Sequence, residues 1–157
     1  MSENTGKEGL GGWLILIGLG LVLTPFLLLG QLNLYKEIFS NGTWEALTLR
    51  SSDLYHPLFG VFMCFELLGN CVFLIAYICL AFLFFKKKRI FPRLWIITAL
   101  SNLAFILIDG LFGKVVFPND PMFDQETLGE VVKQAISCAI WIPYMFKSVR
   151  VRNTFVR

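Results

Sequence analysis

Residues 10–35 read LGGWLILIGLGLVLTPFLLLGQLNLY, an unbroken run with no Asp, Glu, Lys or Arg. A helix crosses about 30 Å of hydrocarbon with roughly 20 predominantly apolar residues, so this run is long enough to span a bilayer. The same pattern recurs along the chain. Residues 57–85 hold one charge, Glu66, and residues 94–113 hold one, Asp109. A fourth stretch, 128–146, is weaker, because Glu130 and Lys133 sit near its start and Pro143 interrupts it. Only 16% of the chain is charged, against about 25% in soluble domains. The deficit is concentrated in these runs, which argues against an apolar globular core. The predicted architecture is all-α: one transmembrane domain over residues 1–157, a four-helix transmembrane bundle with spans at about 11–35, 57–85, 92–115 and 126–147. The first run does not read as a signal peptide: it exceeds the roughly 7–15 residues of a signal core, and no small-x-small cleavage site follows it.

Lys and Arg bias over short loops sets orientation. Lys7, the loop residues Lys86, Lys87, Lys88, Arg89 and Arg93, and the tail residues Lys147, Arg150, Arg152 and Arg157 fall on one side. Glu37, Glu45, Asp53, Asp120, Asp124 and Glu126 fall on the other, with Lys36, Arg50 and Lys114. This predicts both termini in the cytoplasm and an even number of crossings. The basic loop and tail (Lys86, Lys87, Lys88, Arg89, Arg150, Arg152) are candidate contacts for anionic lipid or a partner, at about 1 kcal/mol per charge. Alternatively they serve only as topology signals.

The extracytoplasmic pieces are short. Asn41-Gly42 marks a turn, and Thr43 is a candidate cap for a short interfacial helix carrying Trp44. Asp53 is a candidate N-cap for the second span, with Pro57 in its first turn. Pro118-Asn119-Asp120-Pro121 marks the second outer turn. Asn41-Gly42-Thr43 matches a glycosylation acceptor, meaningful only in a eukaryotic secretory pathway. Cys64, Cys71, Cys79 and Cys138 all fall inside spans and match no zinc spacing, so they read as packing residues. His56, the single histidine, reads as an interfacial side chain rather than a metal ligand. There is no Gly-rich phosphate loop, nucleophile elbow, HExxH or CxxC, and so no catalytic residue, metal site or cofactor is implied.

Glu66 and Asp109 are the most informative single residues, because a charge near the bilayer centre costs at least about 2.5–3.5 kcal/mol. At 1.5 Å per residue, Glu66 lies about 13 Å in from the outer start of its span and Asp109 about 25 Å up from the inner start of its own, so both fall in the outer half. Helical spacing extends the pattern. Glu66 pairs with Asn70, Asn102 with Asp109, Glu130 with Gln134, and Lys133 with Ser137. The candidate intramembrane polar site is Glu66, Asn70, Asn102, Asp109, Lys133 and Ser137. Functionally this is a polar cavity for an ion, a proton or a headgroup. Structurally it is an interhelical network with Lys133 neutralising an acid. A helix ending near Gly110 would instead leave Asp109 at the interface.

Gly11-Gly12-Trp13-Leu14 opens the first span. Trp141-Ile142-Pro143-Tyr144 is followed by Lys147-Ser148-Val149-Arg150-Val151-Arg152-Asn153-Thr154-Phe155-Val156. With four spans of similar spacing, these ends closely resemble the YdgK-like family (DUF2569) of small bacterial inner-membrane proteins of unknown function. The resemblance covers essentially the whole chain. It implies a bacterial inner-membrane location and carries no activity and no functional residues. Arg150–Val156 is expected to fold back on the cytoplasmic mouth of the bundle or to dock a partner.

A nearly loop-free chain favours a non-enzymatic accessory, assembly or lipid-interacting protein. The alternative is a small transporter or channel subunit with an outward-facing polar site between spans 2, 3 and 4; a membrane-embedded enzyme comes third. Expected partners are the bilayer, anionic lipids, another membrane protein or a second copy of the chain, and not nucleic acid.

Overall fold

The computed structural model describes residues 8–119, 121 and 125–156, with the Glu126 side chain excepted. The expectations placed on Lys7, Asp120, Asp124, Arg157 and the Glu126 side chain lie outside the described residues. The elements are α1 (Leu14–Ser40), α2 (Thr43–Thr48), α3 (Phe59–Phe85), α4 (Phe91–Val116), α5 (Gln125–Lys147) and α6 (Val149–Thr154), with no strand among the described residues. By length and composition α1, α3 and α4 can each cross a membrane. Their outward faces are as apolar as their inward ones: Leu27 is 70% exposed, Phe26 67% and Leu68 66%. Lipid can cover such faces and water cannot, so the chain is a membrane protein. α5 is 23 residues long but more polar, because Glu130, Lys133 and Gln134 occupy its first half.

Several boundaries differ from the sequence expectations. α1 runs through Pro25 to Ser40, past the expected end at 35, and carries Lys36 and Glu37 on the helix. Gly42, not Thr43, is the N-cap of α2, with a positive φ of 82° and no side-chain cap bond; Asn41 Oδ1 accepts from Thr43 N at 3.0 Å across the turn before it. α3 begins at Phe59, after Pro57. Its N-cap is Leu58 rather than Asp53, without a side-chain cap bond; His56 Nδ1 accepts from Leu58 N at 3.3 Å just before the helix. α4 starts with Pro92 in its first turn and continues to Val116, so Asp109 is interior to a helix and not at its end.

α1 packs on α3, α3 on α4 and α4 on α5, while α2 bridges α1 and α3. α1 and α5 meet only sparsely. The long helices alternate in direction, so the start of α1, the end of α3, the start of α4 and the end of α5 share one end. An apolar cluster fills that end: Leu14, Ile17 and Leu21 meet Leu80, Phe84, Phe91 and Trp95. Gly18 is required there, because a Cβ would lie 2.8 Å from the Phe84 ring. A second cluster fills the opposite end, where Tyr35, Phe59, Met63 and Val116 pack with Trp44, Phe62 and Phe112.

The tail closes over the first cluster. Ser148 Oγ accepts from Val151 N at 3.4 Å and starts α6. Thr154 Oγ1 donates to Gly9 O at 3.2 Å. Phe155 stacks on Phe91 at 4.6 Å and 27°, with Phe84 at 5.8 Å. The Arg150 guanidinium lies on the Gly11–Gly12 backbone, where a Cβ on Gly11 would be 2.6 Å from Nη1. The two terminal motifs therefore meet, with the half-buried Arg150 side chain packed on the glycines.

The α3–α4 turn holds its own strain. Lys87 has φ 52°. Lys87 N donates to Phe84 O at 3.0 Å and Lys88 N to Leu83 O at 2.9 Å, the bond pair of a Schellman cap whose left-handed position ordinarily takes Gly. Lysine there places positive charge at a helix C-terminus at the cost of an L-residue in the left-handed region. Lys87→Gly should therefore raise unfolding stability by about 0.5–1 kcal/mol, read from denaturant unfolding in detergent. An equal loss would show that the charge outweighs the strain.

Candidate functional site

Between the two apolar clusters lies a cavity of about 630 Å³ lined from all four long helices, within the range of about 300–1,000 Å³ usual for ligand sites. Glu66, Asn70, Asn102, Asp109 and Lys133 all line it. Ser137 does not: it lines a smaller neighbouring cavity of about 150 Å³ with Trp95 and Trp141. Thr24, Tyr77 and Gln134 line both.

Helix geometry explains the convergence. At 1.5 Å per residue, Tyr35, Glu66, Asp109, Glu130 and Lys133 all lie about 8–12 Å from the α2 end of their helices. Gln31, Gln134, Asn70 and Asn102 lie deeper, at about 14–21 Å. The cavity is thus stratified, with ionisable groups near its α2 end and neutral polar groups farther in.

Tyr35, 7% exposed, organises the charged tier. Its hydroxyl accepts from Asn70 Nδ2 at 2.8 Å, which leaves its proton available to the neighbouring Glu66 carboxyl. Glu66 and Glu130 both lie close enough to act electrostatically on Asp109. Asp109 Oδ1 is buried with no hydrogen-bond partner among the described residues. Lys133 is exposed at the rim and, among the described residues, makes no ion pair with Glu66, Asp109 or Glu130. Gln134 Nε2 donates to Ala99 O at 3.0 Å and fixes α5 against α4 at the cavity floor.

The contribution of α1 was not read from the sequence. Thr24, Gln31 and Tyr35 line the cavity, yet α1 carries no acid or base before Lys36. Their spacing of seven and four was the available signal, as was the seven-residue step from Asn70 to Tyr77. Glu130 completes the acidic side. No three His, Cys, Asp or Glu side chains among the described residues are grouped to hold a metal ion. The four cysteines are free: Cys64 and Cys79 face outward and Cys138 is buried. Of the basic residues, Lys86, Lys88, Arg89 and Arg152 are exposed and Lys87 is half-buried.

No curated protein and no solved structure matches the chain. The model of one family, described as protein of unknown function (DUF2569), matches residues 7–156. Nearly the whole chain falls within that match, and the protein belongs to the DUF2569 family.

Proposed function

We propose that this protein is a non-enzymatic, four-span membrane protein that holds a polar ligand or lipid headgroup inside its helical bundle. α5 is the fourth crossing; its length of 23 residues supports this, as does the placing of Thr127, Glu130 and Gln134 along the cavity wall. The basic bias of the end that carries both termini supports N-in, C-in orientation. The charge pattern and the resemblance of the chain's two ends to small bacterial inner-membrane proteins support a bacterial inner membrane, with α2 and Trp44 at the outer interface.

One observation carries the proposal. Acids from α3, α4 and α5 face one cavity and are not consumed by ion pairs with its lysine. A purely structural seam would be cheaper built from apolar side chains, since polar contacts in membranes average only about 0.6 kcal/mol. In lipid-free mild detergent, Glu66→Gln should unfold at the same temperature as the wild type or higher. A loss of about 3 kcal/mol or more would make Glu66 a paired structural charge and overturn the ligand-binding role.

A transporter or channel subunit is the second reading. It is favoured by the smaller cavity, which shares Thr24, Tyr77 and Gln134 with the larger and extends the polar path towards Trp141. Ion flux in proteoliposomes separates the two.

A further inference from the structure

The cavity holds more acid than base. Glu66, Asp109 and Glu130 face it from three helices, and among the described lining residues Lys133 is the one cation. Uncompensated carboxylates away from water are expensive. The acids do not group to hold one metal ion, so the cation that suits them is one bonded to a single acid and held by the field of the others. A primary ammonium carries three N–H donors, one of them for Asp109 Oδ1, which is buried without a partner among the described residues, while Glu66 and Glu130 act on the charge through space.

α1 and α5 meet only sparsely, and the cavity is flanked on α1 by Leu27 and Leu34, which are 70% and 61% exposed. An occupant entering there passes apolar side chains before reaching charge, which suits an amphiphile. Lys133 stands exposed on α5 at the level of the acids, where an anionic group next to the ammonium would meet it.

We infer that the cavity takes the headgroup of an aminophospholipid, its primary ammonium among Glu66, Asp109 and Glu130, its phosphate at Lys133, and its acyl chains leaving between α1 and α5. This deepens the ligand-binding proposal and rests on it. Phosphatidylcholine is the sharpest comparison, because trimethylation keeps the charge and removes every N–H donor.

The test uses the full chain, purified in mild detergent and delipidated, with bound lipid counted by native mass spectrometry. The probes are phosphatidylethanolamine, phosphatidylcholine and phosphatidylglycerol with identical acyl chains, and glycerophosphoethanolamine, which has the headgroup without chains. Phosphatidylethanolamine should bind about tenfold more tightly than either other lipid. That preference should shrink to within about twofold in the double variant Glu66→Gln, Asp109→Asn. Lys133→Met, at an exposed position that threatens folding least, should weaken phosphatidylethanolamine while sparing part of its preference over phosphatidylcholine. Glycerophosphoethanolamine should compete poorly. Equal binding of the three lipids would overturn the inference, as would a preference that survives in the double variant. Full competition by the chain-free headgroup would assign the site to a soluble amine instead. If lipid preference is absent while Glu66→Gln remains as stable as the wild type, the ligand class fails and the ligand-binding role stands.

Discussion

Phe155→Ala is expected to lower the unfolding free energy by about 3–5 kcal/mol, measured by denaturant unfolding in a mild detergent. Phe155 is 4% exposed. It stacks on Phe91 at 4.6 Å and also meets Phe84 at 5.8 Å. Phe84 and Phe91 are themselves among the most deeply buried side chains, and they flank the α3–α4 turn. Removing the ring leaves a void that those neighbours cannot close, because Gly18 already lies flush against Phe84. The backbone would feel the loss as well, since Thr154 ties the tail to Gly9 beside it. Val156→Ala is the control: that side chain is 64% exposed and should change stability by less than about 0.5 kcal/mol. A loss below about 1 kcal/mol at Phe155 would mean that the tail does not dock on the bundle in solution.

Gly69→Val should lower stability by about 1–3 kcal/mol and reduce ligand binding at the same time. A Cβ at Gly69 would run into the tip of the Phe105 ring. That ring cannot turn aside freely, because Phe65 lies 5.0 Å from it and Phe73 5.4 Å. The space left to it is the cavity, which it already lines. The substitution should therefore push an aromatic ring towards the polar groups and shrink the site. The sign distinguishes this position from other helical glycines. Gly30 has open space where a Cβ would go, so Gly30→Ala should gain about 0.5–1 kcal/mol from helix propensity alone. Equal effects at the two positions would show that α3 and α4 are not as close as the Gly69–Phe105 contact requires.

Charge-free runs gave away the solvent, and their lengths gave three helices able to cross a bilayer. Local turn chemistry was legible only in part. Asn41-Gly42 is the turn, but Gly42 takes the N-cap of α2 and Thr43 is already inside the helix, while Asn41 Oδ1 closes the turn onto Thr43 N. Leu58, not Asp53, is the N-cap of α3, and His56 Nδ1 meets its N–H. Such turn bonds depend on which side chain happens to be aimed at an N–H group, and several neighbouring residue types satisfy that need equally well.

The polar site divides along the same line. Glu66, Asp109 and Lys133 stand out in any reading of the chain, because charge inside an apolar run is costly and therefore conspicuous. Tyr35 and Gln31 do not, since neutral polar residues pass unremarked in a Leu-rich helix, yet they complete the wall on α1. Lys133 and Ser137 share a helical face, and the fold still assigns them to different cavities. Composition and charge runs thus fix the solvent, the approximate place of the long helices and the alternation of their direction, because each follows from local free energies of transfer. The rotation of each helix, the gap between α1 and α5, and the meeting of four polar stripes in one cavity do not follow from them. A helix whose outer face is as apolar as its inner one carries no amphipathic signal, so its orientation is set by contacts with neighbours such as Gly18 on Phe84, Gly69 on Phe105 and Phe155 on Phe91.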